Sequence, residues 1–327
     1  MQFHLGFKPE VSQKKITHQD GVLLIGSCFS EHIGNYLSDL KFNVESNPFG
    51  IVFNPKSIEI SLNRIIEKIY FNEDDVFEKE GIWFSLEAHS SVFSTTKFDL
   101  IEKLNTTIDE WNSKLTSTSF LMITVGSAFA YKSIQQNKVV ANCHKLPQSI
   151  FDKLLLETQD IVLAYQILID KLKLHYPKLN ILFTVSPVKH LRDGVVENNL
   201  SKSILIQSVH NIIKNNSNCI YFPAYELVND DLRDYRFYES DMAHPNLQAI
   251  NYVWKKFSEV FFNDKTISIN EKVNQIHQAY NHKLFNKETE SSIKFKHQFY
   301  QKCITLQSEF PYIDLIKELQ HFNTYED

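Results

Sequence analysis

The chain has 327 residues, of which 43% are hydrophobic and 22% charged, and its formal net charge at pH 7 is -5. These values are ordinary for a globular protein, and they exclude a disordered or collagen-like chain. No apolar run reaches the roughly 18 residues of a membrane span, no secretory-signal pattern is visible, and neither charge sign forms a block. We therefore predict a cytoplasmic protein of one large domain with an appendage, which binds neither membranes nor nucleic acid.

The cysteines and glycines give information on disulfides, metal sites and turns. The chain has four cysteines, Cys28, Cys143, Cys219 and Cys303. Their wide spacing matches no zinc-ribbon pattern, so they are interpreted as reduced thiols. Only eight glycines occur, where an average usage of about 7% would give roughly 23. Gly26, Gly50 and Gly126 each follow an apolar or β-branched run, where a strand gives way to a loop.

Five short apolar runs predict the strands of a parallel sheet. They span residues 22–25, 41–45, 121–125, 181–185 and 219–222. Nearly continuous apolar runs bounded by turn residues are typical of strands covered on both faces. Between them the apolar period changes to about 3.6, which predicts helices. Alternating strands and helices favour right-handed crossovers in an open sheet that binds ligands at the carboxyl ends of its strands.

Two segments depart from this alternation. Residues 72–97 predict a β excursion, and residues 130–143 predict a hairpin that turns at residues 135–138. Because both segments follow strand ends, either could form a wall of a pocket.

Longer helices are predicted further along the chain. They cover about residues 150–176, 200–213 and 247–262, the last with Pro245 at its favoured first position. Residues 265–327 predict a helical extension whose apolar face could pack on the domain or on a second subunit, so a homo-oligomer is one predicted state.

A hydroxyl group follows the first predicted strand. The segment Gly26-Ser27-Cys28-Phe29-Ser30 marks a strand-to-helix turn. A side chain there is exposed at the sheet edge and faces the positive end of a helix dipole, so Ser27 is placed as a nucleophile. The alternative is a Gly-Ser turn that merely caps the helix. Cys28 is a conceivable thiol nucleophile, but free cysteines are among the most buried residues, which favours core packing.

A carboxylate precedes a histidine by three residues late in the chain, at Asp241 and His244. In so short a loop the carboxylate can accept a hydrogen bond from Nδ1 and fix the tautomer that leaves Nε2 free as a base. The alternative is that Asp241 is a turn residue and His244 a helix cap.

Together these motifs resemble those of the GSCFA family, which is similar to the SGNH (GDSL-like) hydrolases. Further segments that resemble the family are residues 142–145, 186–194, 222–226 and 233–244. The resemblance implies a three-layer α/β/α fold with a central parallel sheet, of the flavodoxin-like, SGNH hydrolase type, over residues 1–264. A C-terminal helical extension follows over residues 265–327.

The resemblance also implies the roles of the catalytic residues. Ser27 would be the nucleophile, His244 the general base and then acid, and Asp241 the residue that orients His244. One difference is that an SGNH enzyme usually has Asp after its first glycine, where this chain has Ser27 followed by Cys28.

The oxyanion hole of SGNH enzymes combines three donors. They are the backbone N–H of the nucleophile, a glycine N–H after the second strand, and an asparagine side chain after the third. Gly50 matches the glycine, but no asparagine follows the third strand, so Ser127 or Asn142 is the expected donor. His144 and His190 lie beside strand ends and are further candidates for substrate binding. No metal site and no cofactor are predicted, because a zinc site needs histidines that are close together in space, which the sequence does not show.

We therefore predict a serine-dependent esterase of SGNH type that acts on a small acyl ester, with carbohydrate O-acetyl groups as the substrate class that the superfamily suggests. An acyltransferase with the same triad is one alternative, since it needs only to exclude water. A non-catalytic ligand-binding module is another, because the asparagine of the third strand is missing.

Overall fold

Five parallel strands form the centre of the fold, and helices cover both faces of the sheet. The computed structural model describes residues 5–283 and 289–323. The strands are β1 (Gly21–Gly26), β2 (Asn43–Ser46), β3 (Phe77–Lys79), β4 (Ile82–Phe84), β5 (Thr118–Val125), β6 (Phe129–Ser133), β7 (Lys138–Val140), β8 (Phe151–Leu155), β9 (Asn180–Val185) and β10 (Cys219–Tyr221). The helices are α1 (Cys28–Asp39), α2 (Pro55–Glu67), α3 (Lys97–Leu115), α4 (Thr158–His175), α5 (Val195–Lys214), α6 (Ala224–Glu226), α7 (Leu247–Phe261), α8 (Asp264–Tyr280), α9 (Glu290–Glu309) and α10 (Ile316–Phe322).

The central sheet has the strand order β2-β1-β5-β9-β10, and all of its pairings are parallel. Counted among these five strands alone, this is the order 2-1-3-4-5 of flavodoxin-like folds. The register places Leu24 beside Ser46 on one side and Met122 on the other. The three-layer α/β/α fold predicted from the sequence is confirmed.

Alternate strand residues point to two separate hydrophobic cores. Leu23 and Ile25 belong to the core that β1 shares with α2, α3, α4 and α5. Val22 and Leu24 belong to the core that it shares with α1 and α7. Because helices cover both faces, these strands are apolar at nearly every position.

One predicted helix begins too early. Residues 148–155 form a short turn and β8, and α4 begins only at Thr158. Phe151 and Leu154 are spaced as on one face of a helix, but β8 pairs with β6 and so satisfies its backbone groups as a strand. The hairpin predicted over residues 130–143 is confirmed by the antiparallel pair β6 and β7.

The β excursion predicted over residues 72–97 is confirmed by the antiparallel pair β3 and β4. Arg64 of α2 holds this excursion in place, because its guanidinium lies 2.5 Å from a carboxylate oxygen of Glu87 and 3.1 Å from one of Asp75. The backbone N–H of His89 donates to a carbonyl oxygen of the loop after β2, at 2.8 Å. The excursion therefore ends beside the carboxyl end of β2.

Helices α8, α9 and α10 form the predicted C-terminal extension. Ile269, Val273 and Ile276 of its predicted apolar face are buried in a core of its own. Leu40, just after α1, also packs against this core, so the extension contacts the sheet domain. Within the described part of the chain, no helix combines the length and the apolar character needed to cross a membrane.

Candidate active site

The turn between β1 and α1 begins at Gly26, in a backbone conformation that only glycine adopts readily. Gly26 has a φ of +143°, and a Cβ atom there would lie 2.2 Å from the carbonyl oxygen of Thr124. Its N–H donates to Oδ1 of Asn47 at 2.9 Å, and its carbonyl oxygen accepts from the N–H of Val52 at 3.1 Å. The chain just before Ser27 is thus fixed by the strands and loops on both sides.

Ser27 caps α1. Its side-chain oxygen accepts from the N–H of Phe29 at 3.3 Å, and its own N–H donates to the carbonyl oxygen of Thr124 at 3.2 Å. The residue is only 3% exposed. No hydrogen bond in the described part of the chain joins Ser27 to His244. The assignment of Ser27 as nucleophile stays a prediction, while its helix-capping alternative is present in the structure.

Cys28, the first residue of α1, borders a small cavity of about 20 Å³. The cavity is lined by Cys28, Phe29, His32, Val188, His244, Pro245 and Ile250. Burial raises the pKa of the Cys28 thiol, and the charge of Glu31 adds to this. The backbone N–H groups of Cys28 and Phe29 and the charge of Lys202 act in the opposite direction. Cys28, unlike Ser27, therefore lines a cavity together with His244.

Asp241 and His244 form the hydrogen bond predicted from their spacing. Oδ2 of Asp241 lies 2.6 Å from Nδ1 of His244, and Oδ1 accepts from the N–H groups of Ala243 at 2.9 Å and His244 at 3.0 Å. The backbone N–H of His244, then its ring, then the N–H of Ala243 lower the pKa of Asp241 to about 2. The carboxylate is therefore an acceptor, so Nδ1 carries the proton and Nε2 is left free to take one.

The helix that follows this pair begins differently from the prediction. Asn246, not Pro245, adjoins its first turn, and the Asn246 side chain accepts from the N–H groups of Gln248 and Ala249. Pro245 precedes that cap, so its predicted position inside the helix is wrong by two residues. The Asn246 side chain satisfies two of the N–H groups that the first turn leaves without helical partners, so the helix begins after Asn246.

A larger cleft of about 530 Å³ lies beside the ends of β5 and β9. Four of the predicted site residues line it, namely Ser127, Asn142, His144 and His190. The charge of His244 contributes to lowering the pKa of His190, which places the small cavity and the cleft close together. The predicted residues therefore form two adjacent groups rather than one.

Three of the predicted oxyanion donors take part in hydrogen bonds of the surrounding turns, Asn142 and Ser127 through their acceptor oxygens. The N–H of Gly50 donates to the carbonyl oxygen of Asn47 at 2.9 Å, and its role as an oxyanion donor stays a prediction. Oδ1 of Asn142 accepts from the N–H of His144 at 2.8 Å, which is the turn arrangement of an asparagine. Ser127 Oγ accepts from the N–H of Phe129 at 3.1 Å.

Two histidines of the cleft keep an unused ring nitrogen. His144 places Nε2 2.8 Å from the carbonyl oxygen of Ser85, and its Nδ1 is buried with no partner among the described residues. His190 likewise has a buried Nε2 with no partner among them. Burial is the main cause that lowers the pKa of His144, and it is also the main cause that lowers that of His190 to about 3. Both rings are therefore neutral, and each keeps one buried nitrogen that has no hydrogen-bond partner among the described residues.

Asn47 and Lys202 are polar residues near the turn that sequence reasoning missed. Asn47 has a φ of +51° and is 8% exposed, and its Nδ2 is buried without a partner in the described ranges. Lys202 of α5 is buried, and its Nζ donates to the carbonyl oxygens of Gly126 at 2.6 Å and Ser186 at 2.7 Å. A lysine on a helix is normally exposed, so no pattern in the sequence signals this one.

Lys202→Met should make the free energy of unfolding less dependent on pH. Burial lowers the pKa of Lys202 from its ordinary value of 10.5 to about 7. Between these values the unfolded chain holds a proton that the folded chain lacks, so the stability of the wild type should rise with pH. One such proton contributes at most about 1.4 kcal/mol per pH unit. Urea titrations of both proteins across this window measure the difference, and equal slopes would contradict the assignment.

No group of three or more His, Cys, Asp or Glu side chains within residues 5–283 and 289–323 is arranged to hold a metal ion. The four cysteines are free thiols.

Comparison with known proteins identifies the family. The sequence model of the GSCFA family matches residues 21–257, and that of the GSCFA domain protein, C-terminal domain, matches residues 273–325. No curated protein matches the chain. A solved structure, a carbohydrate esterase family 3 from Talaromyces cellulolyticus, is similar to this chain at 7% sequence identity and a TM-score of 0.37. The alignment covers 77% of this chain and 98% of the esterase chain. Since its family model spans most of the sheet domain, the chain belongs to the GSCFA family.

Proposed function

We propose that the protein hydrolyses a small acyl ester through a covalent acyl-enzyme formed at the turn between β1 and α1. One observation carries the proposal: the Asp241–His244 hydrogen bond orients a ring that borders the same cavity as the first turn of α1. A base oriented by a carboxylate beside a side-chain nucleophile is the arrangement that acyl transfer requires.

The reaction follows from the tautomer of His244. Nε2 of His244 takes the proton of the nucleophile as the nucleophile attacks the acyl carbon, and it returns that proton to the departing alcohol. Asp241, which stays ionised, stabilises the imidazolium that forms between the two steps. Water then attacks the acyl-enzyme by the same route and releases the acid.

Donors for the oxyanion are available at the start of α1. The first turn of a helix leaves backbone N–H groups without helical partners, and that of Cys28 is one of them. Nδ2 of Asn47 is a second, because it is buried beside the end of β1 and no described residue accepts from it. Donors fixed before the charge develops are those that lower the barrier.

The larger cleft supports a carbohydrate as the part of the substrate that carries the ester. Neutral ring nitrogens of His144 and His190 can exchange hydrogen bonds with hydroxyl groups, and Phe53 and Tyr131 add aromatic surface to the same cleft. A polyol bound there would present an O-acetyl group to the adjacent small cavity.

Acetate release from O-acetylated sugars tests this function. We expect turnover of acetyl esters that falls as the acyl chain lengthens, because the cavity beside Cys28 holds about 20 Å³. An added acceptor alcohol separates the alternatives, since an acyltransferase would form the new ester in place of free acetate. Binding of acetylated sugars by calorimetry, with neither acetate release nor transfer, would contradict catalysis and favour a binding module.

A further inference from the structure

We propose that the nucleophile of this site is the thiol of Cys28 and not the hydroxyl of Ser27. The inference rests on the proposed acyl transfer and names the atom that becomes acylated, Sγ of Cys28. It also makes Asn47 a donor to the oxyanion.

The cavity supplies the first reason. Cys28 and His244 line the same cavity of about 20 Å³, which is room for about one water molecule. Ser27 is not among the residues that line it and is 3% exposed. A base must lie within hydrogen-bond reach of the proton that it removes, either directly or through one water. Of the two candidate nucleophiles, Cys28 is the one that lines a cavity together with His244.

The hydrogen bonds of Ser27 supply the second reason. Its side-chain oxygen accepts the N–H of Phe29, and attack by this oxygen would give up the cap of α1. Its backbone N–H donates to the carbonyl oxygen of Thr124, so it cannot turn to an oxyanion without breaking that bond. The N–H of Cys28, in contrast, interacts with the Cys28 thiol and favours its ionised form.

The charges around Sγ fit a thiol that is activated by a base. Burial and Glu31 keep the pKa of Cys28 above its ordinary value, so the free protein holds the thiol protonated. A protonated thiol needs a proton acceptor in order to attack, and Nε2 of His244 is free for that role. The N–H groups at the start of α1 then stabilise the thiolate as it forms.

The side-chain amide of Asn47, near the same turn, provides an independent observation. Asn47 is 8% exposed, its Oδ1 is held by the N–H of Gly26 two residues before Cys28, and its Nδ2 is buried without a described partner. A buried amide that lacks an acceptor is costly, and such groups occur where a ligand supplies the missing bond. The oxyanion is the acceptor that acyl transfer at Cys28 would provide.

The covalent step balances as follows in atoms and charge. Sγ attacks the acyl carbon while the thiol proton moves to Nε2 of His244, and the carbonyl oxygen takes the electron pair. The carbon–oxygen ester bond then breaks, and the alcohol leaves with the proton from His244. The acyl group remains on Cys28 as a thioester, which water hydrolyses to acid and free thiol.

Trapping the acyl-enzyme tests the nucleophile directly. After brief reaction with p-nitrophenyl acetate at acid quench, the tryptic peptide of residues 16–41 should carry one acetyl group. Cys28 is its only cysteine, and neutral hydroxylamine should release the group, because it cleaves thioesters far faster than oxygen esters. An acetyl group that resists neutral hydroxylamine and maps to Ser27 would overturn the proposal.

Paired variants test the same point by kinetics. Cys28→Ala should lower kcat/KM by on the order of a thousandfold or more, since triad members act as a unit. Ser27→Asn keeps a capping oxygen but removes the hydroxyl, so it should lose less than about tenfold. A Ser27→Asn variant that is inactive while Cys28→Ala retains activity would overturn the assignment, with circular dichroism confirming that both fold.

Alkylation separates this inference from the proposed function. Iodoacetamide should label Cys28 in the wild type at least about tenfold faster than in His244→Gln, because the base is lost. Cys143, a partly exposed thiol of the larger cleft, serves as the control and should react equally in both proteins. If no ester is hydrolysed but this difference appears, the esterase proposal fails and the Cys28–His244 pair stands. Equal labelling of Cys28 in the two proteins overturns the pair.

Discussion

Replacing His244 by glutamine should lower kcat/KM for a short acetyl ester by on the order of a thousandfold or more. Glutamine preserves much of the size of the ring, but it has no nitrogen that can take a proton from the nucleophile. Asp241→Asn should lower the same constant by on the order of a hundredfold or more, because an amide can donate to Nδ1 and stabilise the wrong tautomer. Steady-state rates of the three proteins measure both effects.

The pH profile gives a second readout of this pair. Because the pKa of Asp241 is lowered to about 2, its carboxylate stays ionised throughout the working pH range, and loss of activity on mild acidification cannot come from it.

Glu239→Gln is the matched control for the two substitutions, since it removes an exposed carboxylate two residues from Asp241 and should leave the rate within about twofold. Folded His244→Gln and Asp241→Asn proteins with wild-type rates would remove the pair from catalysis.

Arg64→Met should reduce the free energy of unfolding by about 3 to 5 kcal/mol, the usual cost of leaving a buried partner without its countercharge. The Arg64 side chain is 8% exposed, and it holds Glu87 through two hydrogen bonds of 2.5 Å and 2.8 Å and Asp75 through one of 3.1 Å. Methionine would leave the poorly hydrated carboxylate of Glu87 unpaired and would leave Asp75 with only the longer contact of 3.9 Å to Lys138. Urea titration of the two proteins measures the loss.

An exposed ion pair of the same excursion provides the control. Lys97 contacts Glu73 at 2.9 Å with both side chains well exposed, so Lys97→Met should change the free energy of unfolding by less than about 1 kcal/mol. If Arg64→Met is no more destabilising than Lys97→Met, the buried network does not hold the excursion. The result also bears on the cleft, because the excursion supplies the carbonyl groups that hold the ring of His144.

The parts of the fold that depend on local pattern were predictable from the sequence. The runs around Leu24, Ile123 and Phe183 are apolar throughout because helices cover both faces of the sheet, so each identifies a buried strand. The hydrogen bond between Asp241 and His244 was predictable for a similar reason, since three residues in a tight loop leave few other arrangements.

The parts that depend on distant partners were not predictable. Residues 151–155 show a helical spacing, and only the presence of β6 makes them a strand. Lys202 looks like a surface lysine until two carbonyl groups from β-strand ends are brought to it. In each case the deciding group is remote in sequence.

The exposure of the Asp241–His244 pair has a consequence for substrate preference. Their side chains are 49% and 52% exposed, so bulk solvent screens the pair in the free protein. Electrostatic stabilisation strengthens when water is expelled, and here the protein alone does not expel it. The alcohol portion of the substrate must therefore act as the shield that dehydrates the imidazole. At equal acidity of the leaving alcohol, esters of bulky alcohols that cover the ring should therefore react faster than esters of small alcohols. The specificity would then depend on how much of the His244 surface the departing alcohol covers.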